Sequence, residues 1–175
     1  MSPIVIPSPL EIRCPRCSRR ALFESAFDYV LSRRKDAGLP PELRDADPER
    51  VHKWGGWYVV EKYPSVIPWR EPGKDERLGP PRGIAKCPYC HLLAPHDLRC
   101  PDDAFYRWDI RGHTLWARNR EHAEALLGFI SSKERDERRY PGYERALSRL
   151  PGEFIGAKVR DDVVRAISRS LEEEG

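Results

Sequence analysis

Arg13-Cys14-Pro15-Arg16-Cys17-Ser18 and Lys86-Cys87-Pro88-Tyr89-Cys90-His91 are the two stretches that decide how this chain folds. In each, a proline inside a Cys-x-x-Cys spacing makes a tight turn that presents two sulfurs within about 4 Å of one another. Two such turns supply four sulfurs, which completes the tetrahedral set of a structural Zn²⁺ site and leaves no open position for catalysis. Backbone N–H groups beyond the first cysteine of each turn are expected to point at the sulfurs, offsetting the charge of four thiolates on one cation. Cys14, Cys17, Cys87 and Cys90 are therefore the predicted ligands of one structural Zn²⁺. Cys100 has no close cysteine partner and reads as a small buried hydrophobe. His91 and His96 read as loop histidines rather than as replacements for a sulfur.

The two tetrads resemble the rubredoxin-type knuckles of zinc-ribbon proteins, a resemblance confined to Arg13–Arg20 and Lys86–His91. It implies the same four cysteines as ligands, and it carries over no functional family. The chain departs from the familiar pattern in two ways. Ser18 and His91 stand where glycine is common, and 69 residues separate the pairs. The first departure weakens an electron-transfer reading. The second places a long insertion, residues 32–83, between the halves of the site, with the metal expected to tie it at its base.

Outward from the first turn, Ala21-Leu22-Phe23 and Phe27-Asp28-Tyr29-Val30 read as two short strands of a ribbon around Glu24-Ser25, with a helix from Ala26 as the alternative. Charge and proline then dominate, with Leu39-Pro40-Pro41 and Gly79-Pro80-Pro81 as stops. Lys53-Trp54-Gly55-Gly56-Trp57-Tyr58-Val59-Val60 has the Gly-Gly centre of a tight hairpin, with Trp54 facing Trp57. Beyond the second turn a loop is expected through Pro95 and Pro101, followed by the clearest hairpin, Tyr106–Ile110 and His113–Ala117 about Arg111-Gly112. Its register pairs Ile110 with His113, Trp108 with Leu115 and Tyr106 with Ala117, which puts a mostly apolar set on one face. Asn119 is a good N-cap for a helix with Ala123, Leu126, Leu127 and Ile130 in a stripe. The run Lys133–Arg139 mixes signs and reads as a solvated helix face with i,i+4 pairs. Pro141 opens a short helix through Leu150, and a final helix over about 158–173 carries Val159, Val163, Ile167 and Leu171 at a spacing of four.

The expected class is α+β: a small antiparallel sheet with a Cys₄ zinc ribbon, a long loop-rich insertion and two or three carboxy-terminal helices. Residues 1–118 form the β-rich part and residues 119–175 a helical part packed on the same core.

With 175 residues the chain can bury roughly 70% of its unfolded surface and need not rely on metal alone. No stretch reads as a secretory leader or a membrane span. An odd number of cysteines, four of them in CxxC pairs, fits a reducing compartment, so the expected location is the cytoplasm. Arginine outnumbers lysine 24 to 7, which suits contacts to phosphate, yet 28 acidic residues nearly balance 31 basic ones. Only a local patch could bind a polyanion. The candidate patch is Arg13, Arg16, Arg19 and Arg20 around the first turn, with Arg33-Arg34-Lys35 beyond it and Phe23 and Phe27 as bases' stacking partners.

Enzyme signatures are weak. His122-Ala123-Glu124 matches the H-x-E half of a zinc-deaminase signature, but both cysteine pairs lie upstream of it rather than downstream. Asp102-Asp103 and Asp161-Asp162 read as caps and solvated charge rather than as a nuclease site. The expected function is a non-catalytic zinc-ribbon binding or adaptor module, with nucleic acid preferred to protein as the partner. A metal-dependent hydrolase or nuclease using a second site is the enzyme alternative.

Overall fold

The computed structural model describes residues 10–32, 39–71 and 81–173. Arg33-Arg34-Lys35 and Gly79-Pro80 lie outside the described residues. The class is α+β, and the described residues form three antiparallel sheets and four α-helices. Among the described residues no helix is long and apolar enough to cross a membrane.

The first sheet holds strands β1 (Leu10–Arg13), β2 (Arg20–Ser25), β6 (Arg82–Lys86) and β7 (Leu93–Asp97) in the order β1-β2-β6-β7. Each Cys-Pro-x-Cys stretch is the loop of a hairpin, between β1 and β2 and between β6 and β7. β2 runs antiparallel to β6 with Leu22 opposite Lys86 and Ser25 opposite Gly83. The start of β2 thus lies beside the end of β6, and both cysteine loops emerge at one end of the sheet. That register is why cysteines 70 and 76 residues apart can meet.

Alternation sorts the sheet into two faces. Leu10, Ile12, Ala21, Phe23 and Ala85 are buried on one, with Cys14, Cys87, Leu92 and Leu98 completing a small apolar core. Gly83 is required on this face, because a Cβ there would sit 2.4 Å from the Glu24 carbonyl oxygen and 2.6 Å from Phe23 Cζ. The expected loop through Pro95 is instead strand β7. Proline is tolerated because β7 is the sheet's edge and one side of it donates no ladder hydrogen bond.

β3 (Phe27–Leu31) follows β2 at once, but the two do not form a ribbon with each other. β3 pairs instead with β5 (Trp57–Glu61), which pairs with β4 (Val51–Trp54), giving a second sheet ordered β3-β5-β4. The break falls at Ser25, whose hydroxyl donates to the Phe27 carbonyl and accepts from its N–H, so the chain turns out of one sheet into the next. The Trp54-Gly55-Gly56-Trp57 hairpin forms as expected, with Gly55 at φ 56°. Trp69 lies against Phe27, His52 and Trp54, and its N–H donates to Glu61. Val59 is fully buried beneath. This second sheet leaves and rejoins the first at the Ser25 and Gly83 end, away from the cysteines, and Tyr63 and Lys62 hold it there through Glu24.

The third sheet is the hairpin β8 (Tyr106–Ile110) and β9 (His113–Ala117), in the expected register. Its two-residue turn has Arg111 at φ 51° and Gly112 at φ 84°, both positive as a type I′ turn demands. Tyr106, Trp108, Ile110, Leu115 and Ala117 are buried against α1 (Arg120–Ser131) and α4 (Ala157–Glu172). Short helices α2 (Glu144–Leu147) and α3 (Gly152–Ile155) add Leu147 and Phe154 to the same core. Asn119 caps α1, its side chain accepting from the His122 N–H at 2.8 Å. The Trp108 indole donates to Ser170 Oγ on α4 at 2.8 Å, so the large buried ring leaves no orphan donor.

The charged run Lys133–Arg139 is not a helical face. α1 ends at Ser131, and the run holds a 3₁₀ turn at Glu137–Arg139, a 2.9 Å pair between Arg139 and Glu134, and a bond from Arg135 to the Ile155 carbonyl at 2.7 Å. Seven charges in seven residues leave nothing apolar to hold a further helical turn against the core. β1 connects this helical part to the first sheet: the Glu11 N–H donates to the Arg118 carbonyl, the Phe105 N–H to the Glu11 carbonyl, and the Arg120 N–H to Glu11 Oε2.

Candidate metal centre

Each cysteine loop is closed in the same way. The Cys14 N–H donates to the Arg19 carbonyl at 2.8 Å, and the Cys87 N–H to the Leu92 carbonyl at 2.9 Å. Closing so short a loop forces one residue into the left-handed region. Ser18 takes φ 59° and His91 φ 55°, at the two positions where the sequence lacks the glycine common in such turns.

The Sγ atoms of Cys14, Cys17, Cys87 and Cys90 all lie within 4.8 Å of one another. Cys14 and Cys90 approach to 3.6 Å, and so do Cys17 and Cys87. A tetrahedron of sulfurs with metal–sulfur bonds of about 2.3 Å has edges of about 3.8 Å, so the donor set fits a four-coordinate metal ion with little adjustment. Cys14 and Cys87 are buried and Cys17 and Cys90 half-buried. Every sulfur accepts a backbone N–H from the residue two places on: Cys14 from Arg16, Cys17 from Arg19, Cys87 from Tyr89 and Cys90 from Leu92. Burial opposes ionisation of Cys87, but the N–H groups of Cys90 and Tyr89 and the neighbouring sulfurs outweigh it and bring that thiol to about 7. Burial and the adjacent thiols push Cys90 to about 12. Holding all four as thiolates at neutral pH takes a cation.

Cys100 is exposed, not a buried hydrophobe. It lies in the turn after β7, where desolvation and the carboxylates of Asp103 and Asp102 push its thiol up and away from nucleophilic reactivity. His96 is bonded to Asp103 at 3.0 Å, and Asp103 also accepts from the Arg99 N–H, so this aspartate fixes the turn. His91 is exposed. Asp162 pairs with Arg111 of the β8–β9 turn at 2.7 Å.

His122 and Glu124 have structural partners. The imidazole stacks on Tyr143, with ring centroids 5.0 Å apart and planes 8° from parallel, and its Nδ1 accepts from the Arg118 N–H at 3.2 Å. Burial first, then the nearby Arg118 charge, brings its pKa down to about 4, so the ring is neutral at physiological pH. Glu124 pairs with Arg120 at 3.0 Å. Neither belongs to the cysteine cluster.

Around the cysteines, Arg13, Arg16 and Arg19 are exposed, while Arg20 is half-buried and pairs with Glu11 at 3.7 Å. The Arg19 guanidinium lies over the Tyr89 ring at 5.3 Å, joining the two loops. Phe23 is fully buried in the sheet's core, and Phe27 is packed on Trp69, so neither is presented for stacking. Tyr89, half exposed at the tip of the second loop, is the aromatic that lies beside the arginines. No protein-family model matches this chain, and neither a curated protein nor a solved structure is significantly similar to it.

Proposed function

We propose that this chain is a non-catalytic zinc-ribbon module that binds nucleic acid, with one structural Zn²⁺ held by Cys14, Cys17, Cys87 and Cys90. Four sulfurs in near-tetrahedral array favour zinc, and four protein ligands leave no coordination position for substrate. Unbridged thiols fit a reducing compartment such as the cytoplasm.

One observation carries the choice of partner. The two loops and the strand residues next to them carry Arg13, Arg16, Arg19, Arg20 and Lys86, while the acidic residues of the four flanking strands, Glu11, Glu24 and Asp97, are paired with Arg20, Lys62 and Arg82. With Arg20 neutralised by Glu11, the four charges of Arg13, Arg16, Arg19 and Lys86 still exceed the net −2 of a zinc ion with four thiolates, so the arginines are more than counter-charge to the metal. A surplus of this kind at an exposed tip suits phosphate contacts.

Two measurements test the reading. Elemental analysis of protein purified without chelator is expected to give one zinc per chain. Binding to labelled nucleic acid over a salt series is expected to weaken steeply between 50 and 200 mM salt. Arg13→Glu with Arg16→Glu should flatten that dependence while leaving zinc content unchanged. These two residues are better targets than Arg20, whose pairing with Glu11 also serves the fold. Binding unaffected by salt and by the double variant would instead favour a protein partner.

A further inference from the structure

The outward face of the four-stranded sheet has a composition that its buried face does not share. Cross-strand register places Glu11, Leu22, Lys86 and Leu93 in one row on that face. Arg13 and Arg20 oppose each other one row nearer the cysteine loops, on the same face as Leu22 by alternation. Leu22, on an inner strand, is 41% exposed, Leu93 on the edge strand is 46% exposed, and Lys86 between them is exposed as well. At the loop end of the sheet stands Tyr89, 50% exposed, with the Arg19 guanidinium over its ring at 5.3 Å.

Duplex nucleic acid offers a protein mainly phosphates and groove edges, because its bases are stacked on one another. Exposed apolar and aromatic side chains interleaved with cations suit a strand whose bases are free to stack. The carboxylates near this face are already engaged, Glu11 by Arg20 and the Arg120 N–H, and Glu24 by Lys62 and Tyr63. The aromatic hairpin of the second sheet joins at the far end, so it does not continue this surface.

We propose that single-stranded nucleic acid binds across the Arg13–Arg20 and Leu22–Lys86–Leu93 rows with one base stacked on Tyr89 beside Arg19. This deepens the nucleic-acid reading above and rests on it. Arginines supply the phosphate contacts, the tyrosine and leucines supply base contacts without sequence preference, and the metal holds the two loops so that Arg19 and Tyr89 stay together.

Fluorescence anisotropy with a labelled oligo-dT of about 12 nucleotides, against a duplex of equal length, tests this. The single strand should bind more tightly than the duplex. Tyr89→Ala should weaken single-strand binding by about 5- to 150-fold, the loss of one stacked base, while Tyr89→Phe stays within about twofold of wild type. Both variants should retain their zinc. If Tyr89→Ala loses zinc, Arg19→Lys reports on the same contact, since it keeps the charge and removes the planar group, and a several-fold loss is expected. Tyr89→Ala binding like wild type, Arg19→Lys without effect, or a preference for duplex would overturn this placement and leave the arginine-driven reading standing. Absence of any salt-dependent binding by wild type would remove both.

Discussion

Replacing Trp108 by alanine tests the register of the β8–β9 hairpin, on which the placement of both long helices depends. The side chain is 6% exposed. A buried tryptophan removes about 200 Å² from water, which at about 25 cal/mol per Å² amounts to about 5 kcal/mol. Residual burial in the unfolded chain lowers this to about 4 kcal/mol, within the measured range for deleting a large buried aromatic. The lost indole N–H adds little, because Ser170 Oγ keeps its bond to the Ala166 carbonyl at 3.3 Å. Urea unfolding followed by circular dichroism should show the midpoint falling by about 2 M for a slope of about 2 kcal/mol/M, with the slope unchanged. Trp116→Ala is the matched control, on the opposite face and 36% exposed, and should cost less than about 1 kcal/mol. A small loss at Trp108 with a large one at Trp116 would mean that the strands are slipped by one residue and the faces exchanged.

Cys14→Ser or Cys87→Ser should abolish stoichiometric zinc in elemental analysis and lower the melting temperature, whereas Cys100→Ser should leave both unchanged because its thiol lies outside the cluster. His122, with a folded-state pKa of about 4 against 6.5 unfolded, binds fewer protons in the native state across that window, so its contribution is present above about 6.5 and lost as pH falls towards 4. The melting temperature should therefore drop between pH 7 and pH 5, and His122→Phe, which keeps a ring on Tyr143 and cannot titrate, should be less stable at pH 7 but show a flatter slope. Ser18→Gly and His91→Gly relieve left-handed backbone at the price of a more flexible unfolded chain, so each should change stability by less than about 1 kcal/mol, while Ser18→Val should cost more than either in a thermal melt with zinc bound.

Much of the architecture is legible because local chemistry and tertiary packing agree. The Arg111-Gly112 turn, the alternation of Tyr106, Trp108 and Ile110, and the Asn119 cap each specify an element that the structure retains. What the sequence hides is pairing between distant segments. Phe27–Leu31 has the composition of a strand, but nothing local says that its partner is Trp57–Glu61 rather than the strand before it. Pro95 reads as a loop unless its strand is known to be an edge. At the candidate site the cysteines are legible because two tetrads of one spacing name each other. The aromatic beside the arginines is not: Phe23 and Phe27 are closer in sequence, and only the meeting of the loops brings Tyr89 under Arg19.

The adjacency of Ser25 and Gly83 has a consequence for how the chain can vary. β2 and β6 are two arms of an interrupted hairpin, and residues 26–81 depart and return at one point of it. A segment whose ends already meet can change length at small cost, about 0.6 kcal/mol for each doubling of a flexible loop. Excision of residues 26–81 and a short turn in their place would leave β1, β2, β6 and β7 as a continuous four-stranded meander with both cysteine loops intact at the other end. The second sheet is thus a graft on a cysteine-tipped hairpin stack, free to be exchanged for another cargo without disturbing the end of the molecule that carries the arginines.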